Sequence, residues 1–115
     1  MIVAGFGFST RATLESLRGA LAATGGRPQA LATLADKAPA LAPLAEALDL
    51  PLIAVSGPLP DTKTQSATSL SARGTGSVAE ATALAAAGPG AYLLAPRAVS
   101  PDRLATCALA QGARP

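Results

Sequence analysis

The residues best equipped for chemistry lie between Thr62 and Ala79. This stretch carries Lys63 and Arg73, many Ser and Thr hydroxyls, Gly74 and Gly76, and no acidic residue. Glycine amides, hydroxyl donors and fixed cations together suit an anionic small molecule. An ordinary exposed loop has the same Ser/Thr-rich composition, so both readings stand at this level. At the end of the stretch, Ser77-x-x-Glu80 has capping-box spacing. Ser77 would accept from the amide of residue 80 while Glu80 reaches back to the amide of Ser77, worth about 1 kcal/mol. Glu80 is also the chain's candidate catalytic carboxylate, a role that competes with the cap. The run Gly74-Thr75-Gly76 is not a phosphate loop, because no Gly-Lys-Ser/Thr ending follows it.

A second candidate is "GFGFSTRA" near the N-terminus. Gly5 and Gly7 invite comparison with a dinucleotide fingerprint, but Thr10 stands where a third glycine is needed, and Asp36 is the nearest acidic residue to the expected ribose position. The simpler reading is a tight strand-to-helix turn. In an intermediate one, Ser9, Thr10 and backbone amides at the start of a helix hold a carboxylate or phosphate. Lys37 is the third candidate. It stands just after the second strand, near a helix start where a cation is mildly unfavourable. Either it is solvated and loosely paired with Asp36, or it reaches over the carboxyl ends of the strands, where open α/β sheets bind ligands.

Other chemistries are excluded by composition. The chain has no histidine and a single cysteine, Cys107. Cys-His and Ser-His-Asp nucleophilic sites are therefore impossible, an intramolecular disulfide is too, and a zinc or haem site is not expected. Cys107, within "ATCALA", and Tyr92 are expected in the core. The net charge of +2, from nine basic and seven acidic residues, is too balanced for an electrostatic nucleic-acid binder. No basic n-region and h-region open the chain, and no apolar run approaches the roughly 18 residues of a membrane span. A soluble, cytoplasmic protein is the expectation.

The elements that must position these residues follow from hydrophobic periodicity. "IVAGF" (Ile2 to Phe6) reads as a strand closed by Gly5 and Gly7. From Arg11, Leu14, Leu17 and Leu21 recur at helical spacing until Gly25 and Gly26 stop the helix. Gln29 to Ala35 predicts a second strand, and "DKAPALAPLAEALDL" a helix in which Pro43 forfeits one backbone hydrogen bond. Pro51 to Ser56 predicts a buried strand and Ser77 to Ala87 a third helix. "GAYLLAP" and "LATCALA" are separated by a gap too short for a crossover helix, which predicts an antiparallel hairpin. The expected fold is a single α/β domain over residues 1–115. It has three layers and a mostly parallel sheet of about five strands, ending in that hairpin. Half of the residues are apolar yet only three are aromatic, so alanine and leucine must fill the core through close helix-on-sheet packing.

Taken in order, "VAGFGF", "DKAPAL", "LPLIAVS", "TQS", "GSVAEATAL", "YLLAPR" and "ATCALA" resemble the CobE family, which is similar to the C-terminal domain of CbiG. The resemblance runs over nearly the whole chain, and "GSVAEATAL" is its most specific element. It implies a role in cobalamin biosynthesis, on the corrin-ring branch. CbiG-type proteins open a δ-lactone on a cobalt-precorrin and release acetaldehyde, and they carry an additional N-terminal domain that this sequence does not contain. The positions implied by the resemblance are Gly5, Gly7, Lys37, Thr64, Gln65, Ser66, Gly76, Ser77 and Glu80. Together with Ser9, Arg11, Arg73, Gly74 and Thr75 they make up the expected ligand contacts, with Glu80 and Lys37 as the candidates for catalysis. The implied ligand is a precorrin or corrin, an apolar macrocycle bearing several carboxylates, and no resident cofactor or metal is implied. Binding without chemistry is the leading expectation. A lactone-opening hydrolase and an interaction module for another corrin-pathway enzyme are the alternatives, with a homodimer as a further candidate assembly.

Overall fold

The computed structural model describes residues 1–56 and 78–112. β1 (Ile2–Phe8) leads to α1 (Leu14–Thr24), and β2 (Ala30–Leu34) to one 3-10 turn (Ala35–Lys37) and α2 (Ala38–Leu48). β3 (Leu52–Val55) follows, then α3 (Val78–Ala87) and a hairpin of β4 (Tyr92–Val99) and β5 (Ala105–Gln111). The sheet order is β3-β2-β1-β5-β4. β1 pairs in parallel with β2, and β2 with β3, whereas β5 runs antiparallel to both β1 and β4. Among the described strands, four therefore point the same way and β5 is reversed. This is the expected α/β fold, including the C-terminal hairpin.

The sheet is covered on both faces, as alternation along β1 requires. Ala4 and Phe6 face a core built with Leu17, Ala20, Leu41, Leu44, Cys107 and Leu109. Val3 lies in the opposite core with Ala30, Ala32 and Val55, against Ala86 and Ala87 of α3. Buried Cys107 is core, as expected, and desolvation pushes its thiol pKa far above the usual range. Tyr92 is not core. It is 55% exposed on the edge strand β4, whose outer side no other described strand covers.

One strand boundary departs from expectation for an instructive reason. β1 does not close at Gly5 but continues through Gly7 to Phe8. A Cβ on Gly5 would lie 2.1 Å from the Ala79 carbonyl oxygen and 2.4 Å from the Ala83 amide nitrogen of α3. At Gly7 the nearest atoms would be Thr106 Oγ1 and Val78 Cβ, at 3.1 and 3.2 Å. The glycines thus let a helix backbone settle on the strand, a use of the missing side chain that differs from turning the chain. The alanine-rich face of α3, with Ala79, Ala81 and Ala83 buried, completes the close contact. No helix among the described residues is long and apolar enough to cross a membrane.

Candidate functional site

The parallel strands deliver their carboxyl ends to one edge of the sheet, and the chain leaving β1 and β2 builds a cleft there. After Phe8 the backbone turns through Ser9 to Thr13 and enters α1. Thr13 caps that helix by accepting from the Ser16 amide, while Ser16 Oγ accepts from the Thr13 amide. After β2 the 3-10 turn carries Asp36 and Lys37 to the same edge. The two segments enclose a cleft of about 480 Å³, with Phe8, Ser9, Thr10 and Thr13 on one wall and Asp36, Lys37 and Pro43 on the other. That volume falls in the range of small-molecule sites, roughly 300–1,000 Å³.

Lys37 supplies a cation to this cleft. Its Nζ stands 5.4 Å from the centroid of the Phe8 ring, within reach of a cation–π attraction. Such a contact is worth about 0.5–1 kcal/mol when exposed, enough to bias where the ammonium rests without consuming its hydrogen-bond donors. Phe8 lines this cleft, though motif reading did not single it out. The alternation of β1, which puts residues 4, 6 and 8 on one face, was the signal that could have found it.

Ser9 proves to be the pivot of its own turn. Its amide donates to the Leu104 carbonyl at 3.0 Å, its carbonyl accepts from the Ala12 amide, and its hydroxyl accepts from the Arg11 amide at 3.1 Å. The amides of Ser9, Arg11, Ala12, Thr13 and Ser16 are all engaged inside the chain. The expected nest of amides for an anion is therefore largely used up in holding the wall, which leaves hydroxyls and Lys37 to meet a ligand. Arg11 is exposed on the same turn. Gly5 and Gly7 lie under α3, on the other face of the sheet from Ala4 and Phe6, and are not among the residues lining the cleft.

Glu80 is fully buried in the first turn of α3. Its Oε2 accepts from the Arg97 amide at 2.9 Å. β4 shifts register between Ala95 and Ala98, so this part of the strand departs from regular pairing and a side-chain acceptor takes an amide there. Glu80 thus ties α3 to β4, a contact across 17 residues of sequence that no capping argument anticipates. Its expected capping partner Ser77 lies outside the described residues, as do Lys63, Thr64, Gln65, Ser66, Arg73, Gly74, Thr75 and Gly76.

Behind the Ser9 turn sits a second carboxylate. Asp102 Oδ2 accepts from Ser16 Oγ at 2.5 Å, and Oδ1 accepts from Ser100 Oγ at 2.6 Å and from the Leu104 amide at 3.1 Å. The hydrogen bonds from Ser100, Ser16 and Leu104 hold its pKa below the ordinary value of 3.8. A depressed carboxylate pKa stabilises the fold above its unfolded value, and that stabilisation disappears as pH falls through the folded value. The stability difference between wild type and Asp102→Asn, measured by urea unfolding, should therefore be constant near neutrality and shrink as pH drops below about 4. A difference unchanged down to about pH 2.5 would contradict this assignment.

Comparison with known proteins places this architecture. The family described as Cobalamin synthesis G C-terminus matches residues 2–110. The crystal structure of CobE, a protein from the cobalamin (vitamin B12) biosynthetic pathway, is 33% identical with a TM-score of 0.76, over 96% of this chain and 89% of that one. The crystal structure of cobalamin biosynthesis protein chiG from Agrobacterium tumefaciens str. C58 is also 33% identical, with a TM-score of 0.71, over 98% of this chain and 99% of that one. No curated protein matches the chain. A family match over nearly the whole sequence, with the same fold in two solved cobalamin-pathway proteins, establishes that the chain belongs to the CbiG C-terminal family of cobalamin biosynthesis proteins.

Proposed function

We propose that the chain binds a carboxylated precorrin or corrin intermediate at the carboxyl-end cleft, in an accessory or carrier role. The observation that carries this reading is the Lys37 ammonium held over the Phe8 ring in the cleft. Such a site offers one apolar ring and one cation side by side. A tetrapyrrole edge presents the complement, an apolar macrocycle with carboxylates on short arms. The cleft takes part of so wide a molecule, and the remainder extends over the exposed Arg11 side of the Ser9 turn.

The hydrolase alternative finds less support. Glu80, its candidate carboxylate, is buried, occupied by the Arg97 amide and absent from the cleft lining. A carboxylate engaged in holding a strand is poorly placed to activate water on a bound lactone.

The test mixes purified protein with corrin-pathway intermediates and follows absorbance and mass. A spectral shift and co-elution without mass change is the expected outcome, whereas addition of water or loss of acetaldehyde would establish the hydrolase instead. Lys37→Met should weaken binding of a corrin polycarboxylate about tenfold, the loss of one charge-assisted hydrogen bond. The effect should be larger at low ionic strength than at high. Unchanged affinity would remove Lys37, and with it the cleft, from the site.

A further inference from the structure

The cleft wall formed by residues 9–13 is anchored from behind, by the turn that joins β4 to β5. Three contacts converge on this turn. Asp102 receives hydrogen bonds from Ser16 on α1, from Ser100 and from the Leu104 amide. The Leu104 carbonyl accepts the Ser9 amide at the start of the wall. Gly19 of α1 packs against the turn so closely that a Cβ there would lie 2.9 Å from Pro101 Cδ. Ser100 is 2% exposed and also accepts from the Ala105 amide, so the turn is fastened to β5 as well as to α1.

The turn is held in a conformation that a free chain would avoid. Arg103 adopts φ 64, the left-handed region disfavoured for any residue with a side chain, and its amide closes the turn on the Ser100 carbonyl at 2.9 Å. Glycine would relieve this at no steric cost, yet an arginine stands there. Backbone strain of this kind persists only where surrounding contacts over-determine it. Those contacts are the Asp102 bonds.

We infer that Asp102 is a positioning residue for ligand binding: through Ser16 and Leu104 it sets both ends of the cleft wall, Ser9 at one and the Thr13–Ser16 cap at the other. The inference rests on the cleft being the tetrapyrrole site proposed above. Asp102 touches no ligand itself. Its effect on affinity arises because a wall that occupies its cleft-forming position only part of the time binds in proportion to that fraction.

The experiment uses the full chain and cobyrinic acid, a corrin with free carboxylate side chains, as the probe. Binding is measured for wild type, Lys37→Met, Asp102→Ala, Asp102→Asn and Ser16→Ala, at a temperature where circular dichroism shows each variant folded. Hydrogen exchange of the Ser9 amide is followed in parallel, because that amide is bonded to the Leu104 carbonyl. Asp102→Ala and Ser16→Ala should each weaken binding about tenfold, as expected if the wall is in place for a tenth of the time. Ser9 should lose exchange protection in Asp102→Ala while amides of the central strands keep theirs. Asp102→Asn retains Oδ1 for Ser100 and Leu104 and should keep the Ser9 protection, but its Nδ2 cannot accept from Ser16 Oγ, so its affinity should fall between wild type and Asp102→Ala. If Lys37→Met weakens binding but Asp102→Ala and Ser16→Ala bind like wild type, the positioning role is wrong and the cleft assignment survives. If wild type does not bind cobyrinic acid, the site reading fails and takes this inference with it.

Discussion

Gly5→Ala is expected to destabilise the protein by about 3 kcal/mol or more, a large share of the roughly 5–15 kcal/mol available to a domain. The added methyl would meet the Ala79 carbonyl oxygen at 2.1 Å and the Ala83 amide nitrogen at 2.4 Å. Carbon–oxygen contacts ordinarily settle at roughly 3.3–3.6 Å, so α3 would have to lift from β1 by about 1 Å. Both colliding atoms belong to the helix backbone and cannot rotate away as a side chain would. Lifting α3 would also loosen Ala79, Ala81 and Ala83 and strain the Glu80 contact to β4. The control is Gly25→Ala, at the C-terminal cap of α1. Gly25 has φ 74, and a methyl added there would point into open space, so only the left-handed backbone cost of about 1 kcal/mol applies. Urea unfolding of the two variants should separate them clearly. Equal stability would mean that Gly5 is not a packing glycine.

Glu80→Ala should cost about 3 kcal/mol, the second large effect. Removing the side chain strands the Arg97 amide in an irregular part of β4, and an unsatisfied donor costs roughly 1–3 kcal/mol before any cavity is counted. Glu80→Gln keeps a carbonyl oxygen for that amide and should lose only about 1 kcal/mol. Hydrogen exchange at Arg97 provides a local readout: protection lost in the alanine variant and kept in the glutamine variant. The same pair separates structure from catalysis. A Glu80→Gln protein that is folded, protected at Arg97 and fully functional identifies Glu80 as a tie between α3 and β4. A folded but inactive one would make it a catalytic acid or base after all.

These two residues also show where sequence reading succeeds and where it stops. Local regularities were legible. Leu14, Leu17 and Leu21 announced α1 and Gly25 ended it, and the helix does end on a left-handed Gly25. The short gap between two apolar runs required an antiparallel hairpin, and β4 and β5 form one. The position of Lys37 just after β2 puts it at the carboxyl edge of the sheet, and of the two readings open to it, a solvated lysine or one reaching over the strand ends, the structure gives its place in the cleft lining. Each of these follows from chain geometry over a few residues, which the sequence expresses directly.

What the sequence by itself determined, then, is the set of elements, their order, the alanine-and-leucine character of the packing and the family resemblance carried by ordered motifs. Tertiary structure alone decided how particular residues are used. A glycine permits both a turn and a close helix approach, and only the arrival of α3 shows that Gly5 serves the second. The spacing of Glu80 suggests a cap, and its tie to the Arg97 amide appears only once α3 and the irregular part of β4 are brought together. Asp102 and Ser16 are 86 residues apart in the chain and meet because β5 is inserted beside β1, bringing the β4–β5 turn to the start of α1. Periodicity reports on neighbours along the chain. Hydrogen-bond partners and contact distances are properties of elements brought together, and they exist only once the sheet has been assembled.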